Sequence, residues 1–292
     1  MPNNDIKIVI NKESVKYKNK LIIFNDKLKP LNKPVNKSIK KIAMKKAFKE
    51  KKNNLSVKSE SVISSGVTII TCTNKTQYLD NIFENYERQD YEKKELIIIL
   101  NKNNIDVNIW RKRAEQSNNV RVFHIDEKIT LGQCLNFGVK QAKYEIIAKF
   151  DDDDYYAPRY ITDSIRAFEY TDADLIGKGS TYVYLESIKT LAIRDPQSEN
   201  RYVRFVNGST MIFKKKIFNK VRFANVSVGE DVIFCRDCYR KGIKIYSTSK
   251  SNHVYIRHAS KNNHTWKIND KNFLKYCKVI GKVDDYIAYA TM

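Results

Sequence analysis

The sequence predicts an α/β fold: a doubly wound, mostly parallel sheet, a mixed C-terminal half and a basic N-terminal arm. Three observations support this prediction. Short apolar runs alternate with helical patterns from Gly66 onward, the pattern becomes mixed in the second half, and lysine dominates the first 60 residues. Strands that alternate with helices at this spacing are typical of a parallel sheet with helices on both faces.

The first 60 residues differ in composition from the rest of the chain. They contain 17 lysines, 5 acidic residues and no glycine, a net charge of +12, whereas residues 61–292 have a net charge of +9. We therefore predict a boundary near residue 60 and interpret residues 1–60 as an arm that contacts an anionic membrane surface or a partner. Nucleic acid is the less favoured partner, because the arm lacks the mixture of aromatic and basic residues that stacks on bases.

Length and composition limit the other possibilities. A chain of 292 residues can form one large domain, which we place at residues 61–292. No run reaches 18 apolar residues and the N-terminus does not resemble a signal peptide, so we expect a cytoplasmic protein, at most peripheral to a membrane. Cys235 and Cys238 form a single CxxC pair, and without a second pair reduced thiols are expected rather than a zinc site.

The first half of this domain contains four predicted strands with a helical segment after each of the first three. The strands are VTIITCT (67–73), ELIIIL (95–100), VRVFHI (120–125) and EIIAKF (145–150), and the helical segments are QYLDNIFENYERQ (77–89), VNIWRKRAEQ (107–116) and LGQCLNFGVKQA (131–142). Ligands of such sheets bind beyond the carboxyl ends of the strands. The residues directly after these runs are therefore candidates for a binding site.

The second half contains three further patterns. TYVYLES and KTLAIRD (181–195) predict a β-hairpin, and STMIFKKKIF (209–218) predicts a strand followed by a helix. GEDVIFCRDCYRKG (229–242) predicts a loop and a helix that Gly242 ends. This half is therefore expected to be mixed rather than a regular repetition of strand and helix.

Four consecutive aspartates, Asp151 to Asp154, follow the fourth predicted strand and precede Pro158, in KFDDDDYYAP (149–158). One or two of them could cap a helix that starts at this proline. Clustered carboxylates at the carboxyl edge of a sheet also suit a hard divalent cation that carries phosphate, because the ion offsets their mutual repulsion. A cap does not account for four acids, and no counter-charge is evident in the sequence, so we favour the binding of a metal and a diphosphate.

Taken together, these segments resemble the family 2 glycosyltransferases of GT-A fold over about residues 66–260. The resemblance rests on the order of VTIITCTNKTQYLDNIFENYERQ, LGQCLNFGVKQAKYEIIAKFDDDDYYAP, NGSTMIFKKKIF and GEDVIFCRDC. It implies a nucleotide-binding half (66–154) and an acceptor-binding half (155–270). It further implies an inverting, metal-dependent transfer of sugar from a nucleotide-diphosphate donor to a hydroxyl of a glycan, lipid-linked or protein acceptor. The TCTNK variant looks like transferases that build bacterial cell-surface or spore-coat glycans.

The resemblance also implies roles for individual residues. Asp151 and Asp152 would lie near the ribose and diphosphate, and Asp153 would bind a Mn²⁺ or Mg²⁺ ion. Asp231 would be the general base, with Glu230 beside it. The other residues expected near the nucleotide are Thr71, Thr73, Asn101, Gly132 and Asn136. His258 and His264 follow Glu230 and Asp231 in the sequence. A neutral imidazole at His258 could complete the metal shell or contact the diphosphate.

Alternatives remain open at this stage. Glu230 and Asp231 could simply be acids at the start of a helix, where they are favoured in any case. A nucleotidyltransferase would use the same metal and diphosphate but needs a lysine or arginine on the phosphates instead of a general base. An inactive scaffold that binds polyanions is a third hypothesis, suggested by the basic arm and by Asn101, which stands where most members of the family carry an acid.

Overall fold

A computed structural model describes residues 65–259 and 268–291; the arm of residues 1–60, the predicted boundary near residue 60, and His264 lie outside these ranges. The strands are β1 (Val67–Thr73), β2 (Lys94–Leu100), β3 (Val120–His124), β4 (Ile146–Lys149), β5 (Tyr155–Tyr156), β6 (Leu175–Gly177), β7 (Thr181–Leu185), β8 (Thr190–Arg194), β9 (Arg201–Val203), β10 (Ile212–Lys214), β11 (Ile245–Ser247), β12 (His253–Arg257) and β13 (Cys277–Lys282). The α-helices are α1 (Leu79–Glu87), α2 (Val107–Ala114), α3 (Leu131–Gln141), α4 (Tyr160–Ile165), α5 (Ala167–Tyr170), α6 (Glu230–Arg240), α7 (Asp270–Leu274) and α8 (Ile287–Ala290).

The larger sheet has the strand order β3-β2-β1-β4-β10-β6-β11-β9. Its first four strands are parallel, and Ile69 in β1 pairs with Leu96 in β2 and with Ala148 in β4. The antiparallel strand β10 then joins β4 to β6. The carboxyl ends of β1, β2 and β4 consequently meet at one edge of the sheet, as the sequence predicts.

Helices cover both faces of this sheet because the strands are apolar on both sides. One core contains Ile69 and Ile98 of the sheet packed with Phe83 of α1 and Trp110 of α2. The opposite core contains residues that alternate with these in the strands, such as Ile70, together with side chains of α3 and α6. Strands buried on both faces are typical of parallel sheets under two layers of helices.

The smaller sheet has the order β13-β8-β7-β12-β5. Strands β7 and β8 form the predicted hairpin, and β12 lies parallel to β7. The short strand β5 follows Asp154 directly and pairs with β12. The chain therefore passes from the larger sheet to the smaller one through the four aspartates.

Most predicted elements are confirmed, with two exceptions. The segment after β10 forms a 3-10 helix, Lys215–Asn219, instead of the α-helix expected from STMIFKKKIF. The helix expected at Pro158 begins at Tyr160, behind β5, and Arg159 is its N-cap residue without a side-chain cap. In the part of the chain that the structure covers, no helix is both long and apolar enough to cross a membrane.

Helix α3 packs closely against the segment 223–226 that precedes α6. Gly132 N donates to Val226 O at 3.0 Å, and a Cβ on this glycine would lie 1.8 Å from Ala224 O. Farther along the helix, the amide of Asn136 donates to Phe223 O and accepts from Phe223 N, at 2.9 and 3.0 Å. The absence of a side chain at Gly132 thus allows α3 to approach the chain that leads to α6.

Gly132→Ala is expected to lower the free energy of unfolding by about 1–3 kcal/mol, because a backbone oxygen has to move to admit the methyl group. Urea denaturation measures the change. Lys140→Ala, at an exposed position of the same helix, is the control and should change stability by less than about 0.5 kcal/mol. Equal stability of Gly132→Ala and the control would contradict this account of the contact.

Candidate active site

The four aspartates occupy the turn between β4 and β5, at the carboxyl edge of the larger sheet. Two amides of α1 hold the backbone of this turn. Asn81 Nδ2 donates to Asp152 O at 2.7 Å and to Asp154 O at 3.1 Å, and Asn85 Nδ2 donates to Asp154 O at 2.8 Å. With its carbonyl groups fixed in this way, the turn presents its carboxylates in different directions.

Asp154 points away from the edge of the sheet and is fully buried. Its Oδ1 accepts from Ile256 N at 3.0 Å, and its Oδ2 lies 3.2 Å from His253 Nε2. Burial raises the pKa of Asp154 well above its usual range, and burial also lowers the pKa of His253 to about 3. Asp154 thus connects the turn to β12, and the hypothesis that an aspartate of this run caps the following helix is wrong.

Asp152 lies against the end of β1. Its Oδ2 accepts from Thr73 Oγ1 at 2.6 Å, and the residue is almost completely buried. Burial and then the adjacent charge of Asp153 raise the pKa of Asp152 to about 7. This contact brings together Thr73 and Asp152, two of the residues that were expected near the nucleotide.

The other two aspartates form ion pairs with lysines. Lys75 Nζ lies 3.2 Å from Asp153 Oδ2, and Lys149 Nζ, from the end of β4, contacts Asp151 Oδ1. Burial alone would lower the pKa of Lys149, but Asp151 and Glu230 raise it above the usual value. The prediction that the aspartates have no counter-charge is therefore wrong, because Lys75 and Lys149 pair with two of them.

Glu230 and Asp231 form the first turn of α6, after Gly229 with φ of +80°. Glu230 is buried, whereas Asp231 is half-buried, and Asp231 Oδ1 accepts from Val232 N at 2.7 Å. A Cβ on Gly208 would lie 2.3 Å from Asp231 Oδ2, so this carboxylate occupies space that only a glycine leaves open. The acids do lie at the start of a helix, as the simpler interpretation proposed.

Burial raises the pKa of both acids above the usual range, and for Glu230 the value is about 7. The ammonium group of Lys149 opposes this shift in both residues. Lys149 is therefore electrostatically coupled to Asp151 on the aspartate turn and to the acidic pair of α6. A carboxylate whose pKa is raised toward neutrality is better suited to accept a proton than an ordinary one.

The remaining residues expected near the nucleotide have structural contacts. Thr71 is buried within β1. Asn101 connects the ends of two strands: its N–H donates to Thr73 O and its Nδ2 donates to Asp126 O, both at 2.8 Å. Gly132 and Asn136 contact the segment 223–226. Contact of these four residues with a nucleotide remains a prediction.

His258 directly follows β12, the strand that pairs with β5 behind the aspartate turn. Its Nδ1 is 3.1 Å from Glu186 Oε1, and its ring lies 5.5 Å from the ring of Tyr78, measured between centroids. Tyr78 in turn lies under the ammonium group of Lys75, which is 4.9 Å from the centroid of its ring. The histidine is thus linked to the ion pair of Asp153 only through Tyr78 and Lys75, and its role as a metal ligand remains a prediction.

The donor set of the site fits a divalent cation only in part. Over residues 65–259 and 268–291, no group of three or more His, Cys, Asp or Glu side chains could hold a metal ion. The side chains of Asp151 and Asp153 are 37% and 16% exposed and offer hard oxygen ligands. Because Mg²⁺ commonly uses one or two carboxylates and takes its other ligands from phosphate and water, the residues fit a cation that arrives with a diphosphate.

Three features of this site were missed at the level of sequence. Lys75 and Lys149 were not assigned a role, although TCTNK and AKFDDDD place each lysine close to the end of an apolar run. Gly208, in the NGST segment, was not recognised as the neighbour of Asp231. The sequence does contain a signal for the two lysines: Lys149 is the last residue of β4, Lys75 lies just after β1, and both strands end at the same edge of the sheet.

Comparison with known proteins gives consistent matches. The model of glycosyl transferase family 2 matches residues 67–222, which is more than half of the chain. The glycosyltransferase GlyG of Streptococcus pneumoniae serotype 4 is 25% identical over 211 residues, covering 65% of this chain and 70% of GlyG. The O-antigen biosynthesis glycosyltransferase WbnJ of Escherichia coli is 28% identical over 156 residues, covering 50% of this chain and 60% of WbnJ.

Two further matches come from Staphylococcus aureus. Its poly-β-1,6-N-acetyl-D-glucosamine synthase is 24% identical over 196 residues, and the match covers 62% of this chain and 47% of the synthase. The crystal structure of S. aureus TarS 1–349 in complex with UDP-GlcNAc superposes with a TM-score of 0.53 at 16% identity, covering 72% of this chain and 64% of that chain. At this identity the likeness to TarS shows a common fold.

Asp154→Leu is expected to lower the free energy of unfolding by about 2–4 kcal/mol, because Ile256 N loses its acceptor in a buried place. Asp154→Asn is the matched control: it keeps an acceptor oxygen of the same size and should cost less than half as much. Urea denaturation of the two variants and the parent gives the comparison. Equal losses for the leucine and asparagine variants would contradict the role of Asp154 as a buried hydrogen-bonding group.

Proposed function

The chain belongs to glycosyl transferase family 2, and from this premise we propose that it transfers a sugar from a nucleotide-diphosphate donor to an acceptor hydroxyl, with inversion at the anomeric carbon. One observation supports this most strongly. The aspartate turn at the end of β4 and the acidic pair at the start of α6 are two separate groups of carboxylates. Lys149 forms an ion pair with Asp151 of the first group, and its charge opposes the rise in the pKa of Glu230 in the second. The first group suits a diphosphate, and the second suits a proton acceptor.

The donor would bind at the aspartate turn. Asp151 and Asp152 would lie near its ribose and diphosphate, and Thr73 holds Asp152 in place. Asp153 would bind the Mn²⁺ or Mg²⁺ ion that accompanies the diphosphate, with His258 as the candidate for a further ligand. Such an ion would stabilise the negative charge that develops on the departing diphosphate.

Asp231 would act on the acceptor. It is the more exposed of the two acids in α6, and its raised pKa brings proton uptake closer to neutral pH. We propose that it takes the proton of the acceptor hydroxyl while the oxygen attacks the anomeric carbon from the side opposite the diphosphate. Glu230 is buried next to it and would position the acceptor or stabilise the helix end.

Two wider aspects of the proposal concern the partners. Two of the relatives are named for the biosynthesis of O-antigen and of poly-β-1,6-N-acetyl-D-glucosamine. Their names support a role of this chain in the biosynthesis of a bacterial cell-surface polysaccharide. A spore-coat glycan is a narrower possibility within the same class. Residues 1–60, which carry a net charge of +12, are proposed to meet an anionic membrane surface at the cytoplasmic face, where a lipid-linked acceptor would be available.

A nucleotidyltransferase remains the second candidate, because the structure adds an observation in its favour. That reaction needs a cation on the phosphates, and Lys75 and Lys149 both lie at the aspartate turn. Nucleotidyl transfer would not require the acidic pair at the start of α6 as a general base, however, and membership of the family favours sugar transfer. The two reactions differ in their product, which is a nucleoside diphosphate in one case and pyrophosphate in the other.

Asp153→Asn is expected to abolish cation-dependent binding of UDP, TDP or GDP, because the amide is a much weaker ligand for a divalent ion than the carboxylate. Titration calorimetry with Mn²⁺ and then with excess chelator measures this dependence in the parent and the variant. Asp163→Asn, an aspartate of α4 outside the turn, serves as the control and should bind as the parent does. Equal nucleotide affinity of the parent with Mn²⁺ and with chelator would contradict the metal dependence.

Asp231→Asn is expected to bind donor and metal as the parent does, while the rate of transfer falls by about 10²-fold to 10⁴-fold. The reason is that this carboxylate would contact the acceptor proton and not the diphosphate, so its loss affects the transition state and spares donor binding. Glu230→Gln should reduce the rate less. The measurement pairs donor affinity with the transfer rate, and unchanged turnover in Asp231→Asn would exclude it as the base.

A further inference from the structure

Lys75 places its ammonium group among the carboxylates of the aspartate turn. Nζ lies 3.2 Å from Asp153 Oδ2 and 3.8 Å from Asp152 Oδ1. The ammonium group also lies over the ring of Tyr78, 4.9 Å from its centroid, an arrangement that favours a cation. The carboxylate proposed to bind a divalent cation therefore already has a cation next to it.

The backbone of Lys75 is tied to the same turn. Its N–H donates to Thr73 Oγ1 at 3.1 Å, and this hydroxyl donates to Asp152 Oδ2 at 2.6 Å. The start of the lysine side chain is thereby fixed at the edge of the sheet. Its end is more adaptable, because 24% of the side chain is exposed and the ammonium is a point charge on a flexible four-carbon stem.

An ammonium group and a divalent cation at the same carboxylate oxygen would repel each other. A metal that binds Asp153 Oδ2 therefore requires that Lys75 move away from this oxygen. The anionic group that would be nearest to the displaced ammonium is the diphosphate that brings the metal. A lysine is an effective partner for phosphate oxygens in such a position.

We propose that Lys75 is an internal counter-ion that exchanges between Asp153 and the diphosphate of the donor. Without donor, Lys75 neutralises the carboxylates of Asp152 and Asp153. With donor, Lys75 leaves Asp153 to the divalent cation and turns to the diphosphate oxygens. This inference rests on the proposed function, since it requires a diphosphate at the aspartate turn. It makes metal binding weak in the absence of nucleotide and strong in its presence.

The first test measures binding of Mn²⁺ alone to the full chain, by titration calorimetry or by the electron paramagnetic resonance signal of the free ion. Lys75→Gln is expected to bind Mn²⁺ about tenfold more tightly than the parent, because the competing charge at Asp153 is gone. Lys75→Arg keeps the charge and should remain close to the parent. Lys112→Gln, at an exposed position of α2, is the control for a general change in net charge. Thermal melting of each variant verifies that it is folded.

The second test measures the affinity for UDP, TDP and GDP in excess chelator, where only side chains can neutralise the diphosphate. Lys75→Gln should bind the preferred nucleotide about tenfold more weakly than the parent under these conditions. Lys75→Arg and Lys112→Gln should bind it as the parent does. The same substitution would thus strengthen the binding of metal alone and weaken the binding of nucleotide alone, which a merely structural role of Lys75 does not produce.

The two proposals fail in different ways. If none of the three nucleotides binds to the parent in the presence of Mn²⁺, the proposed function is contradicted, and the exchange with it. If a nucleotide binds to the parent but Lys75→Gln has an unchanged or weaker affinity for Mn²⁺, the counter-ion role is overturned while the proposed function stands. Unchanged nucleotide affinity of Lys75→Gln in chelator would likewise overturn the exchange.

Discussion

Four adjacent carboxylates can share one turn in this fold because each has a different partner. Asp151 contacts Lys149, Asp152 accepts from Thr73, Asp153 pairs with Lys75, and Asp154 is buried against β12. Unpartnered charges this close together would repel one another and could not be removed from water. The conformation of the turn between the two sheets therefore depends on each aspartate having its own partner. The positions of the four carboxylates depend on the same contacts.

The division also separates structural from chemical roles within one short segment. Asp152 and Asp154 are buried and hold the turn to β1 and to β12, and burial raises the pKa of both. Asp151 and Asp153 are more exposed and pair with lysines, which are the contacts that an incoming diphosphate and its cation could rearrange. Lys149 extends the same electrostatic system to α6, where it opposes the pKa shifts of Glu230 and Asp231.

Sequence patterns predict the order of strands and helices well, because strands buried on both faces are apolar without interruption, as in β1 and β2. They also locate the aspartate turn and the acidic start of α6. They do not predict which aspartate binds which partner, because this depends on residues distant in the chain, such as His253 and Ile256 for Asp154. The helix expected at Pro158 begins at Tyr160, and the preceding backbone is bonded to distant parts of the chain: Ala157 N donates to Asn252 O, and Pro158 O accepts from Asp90 N.

The central claim is that the aspartate turn binds the diphosphate of a sugar donor and that the sugar is the group transferred. The most direct measurement is the identity of the product released when the full chain is incubated with Mn²⁺ and either of two substrate sets. One is a panel of UDP-, TDP- and GDP-sugars, from which water or an added alcohol takes the sugar. The other is the corresponding nucleoside triphosphates together with a sugar 1-phosphate, which would take the nucleotidyl group. The account predicts that a nucleoside diphosphate appears from at least one nucleotide-sugar and that no pyrophosphate appears from the triphosphates. Pyrophosphate from a triphosphate, without any diphosphate from the nucleotide-sugars, would contradict it.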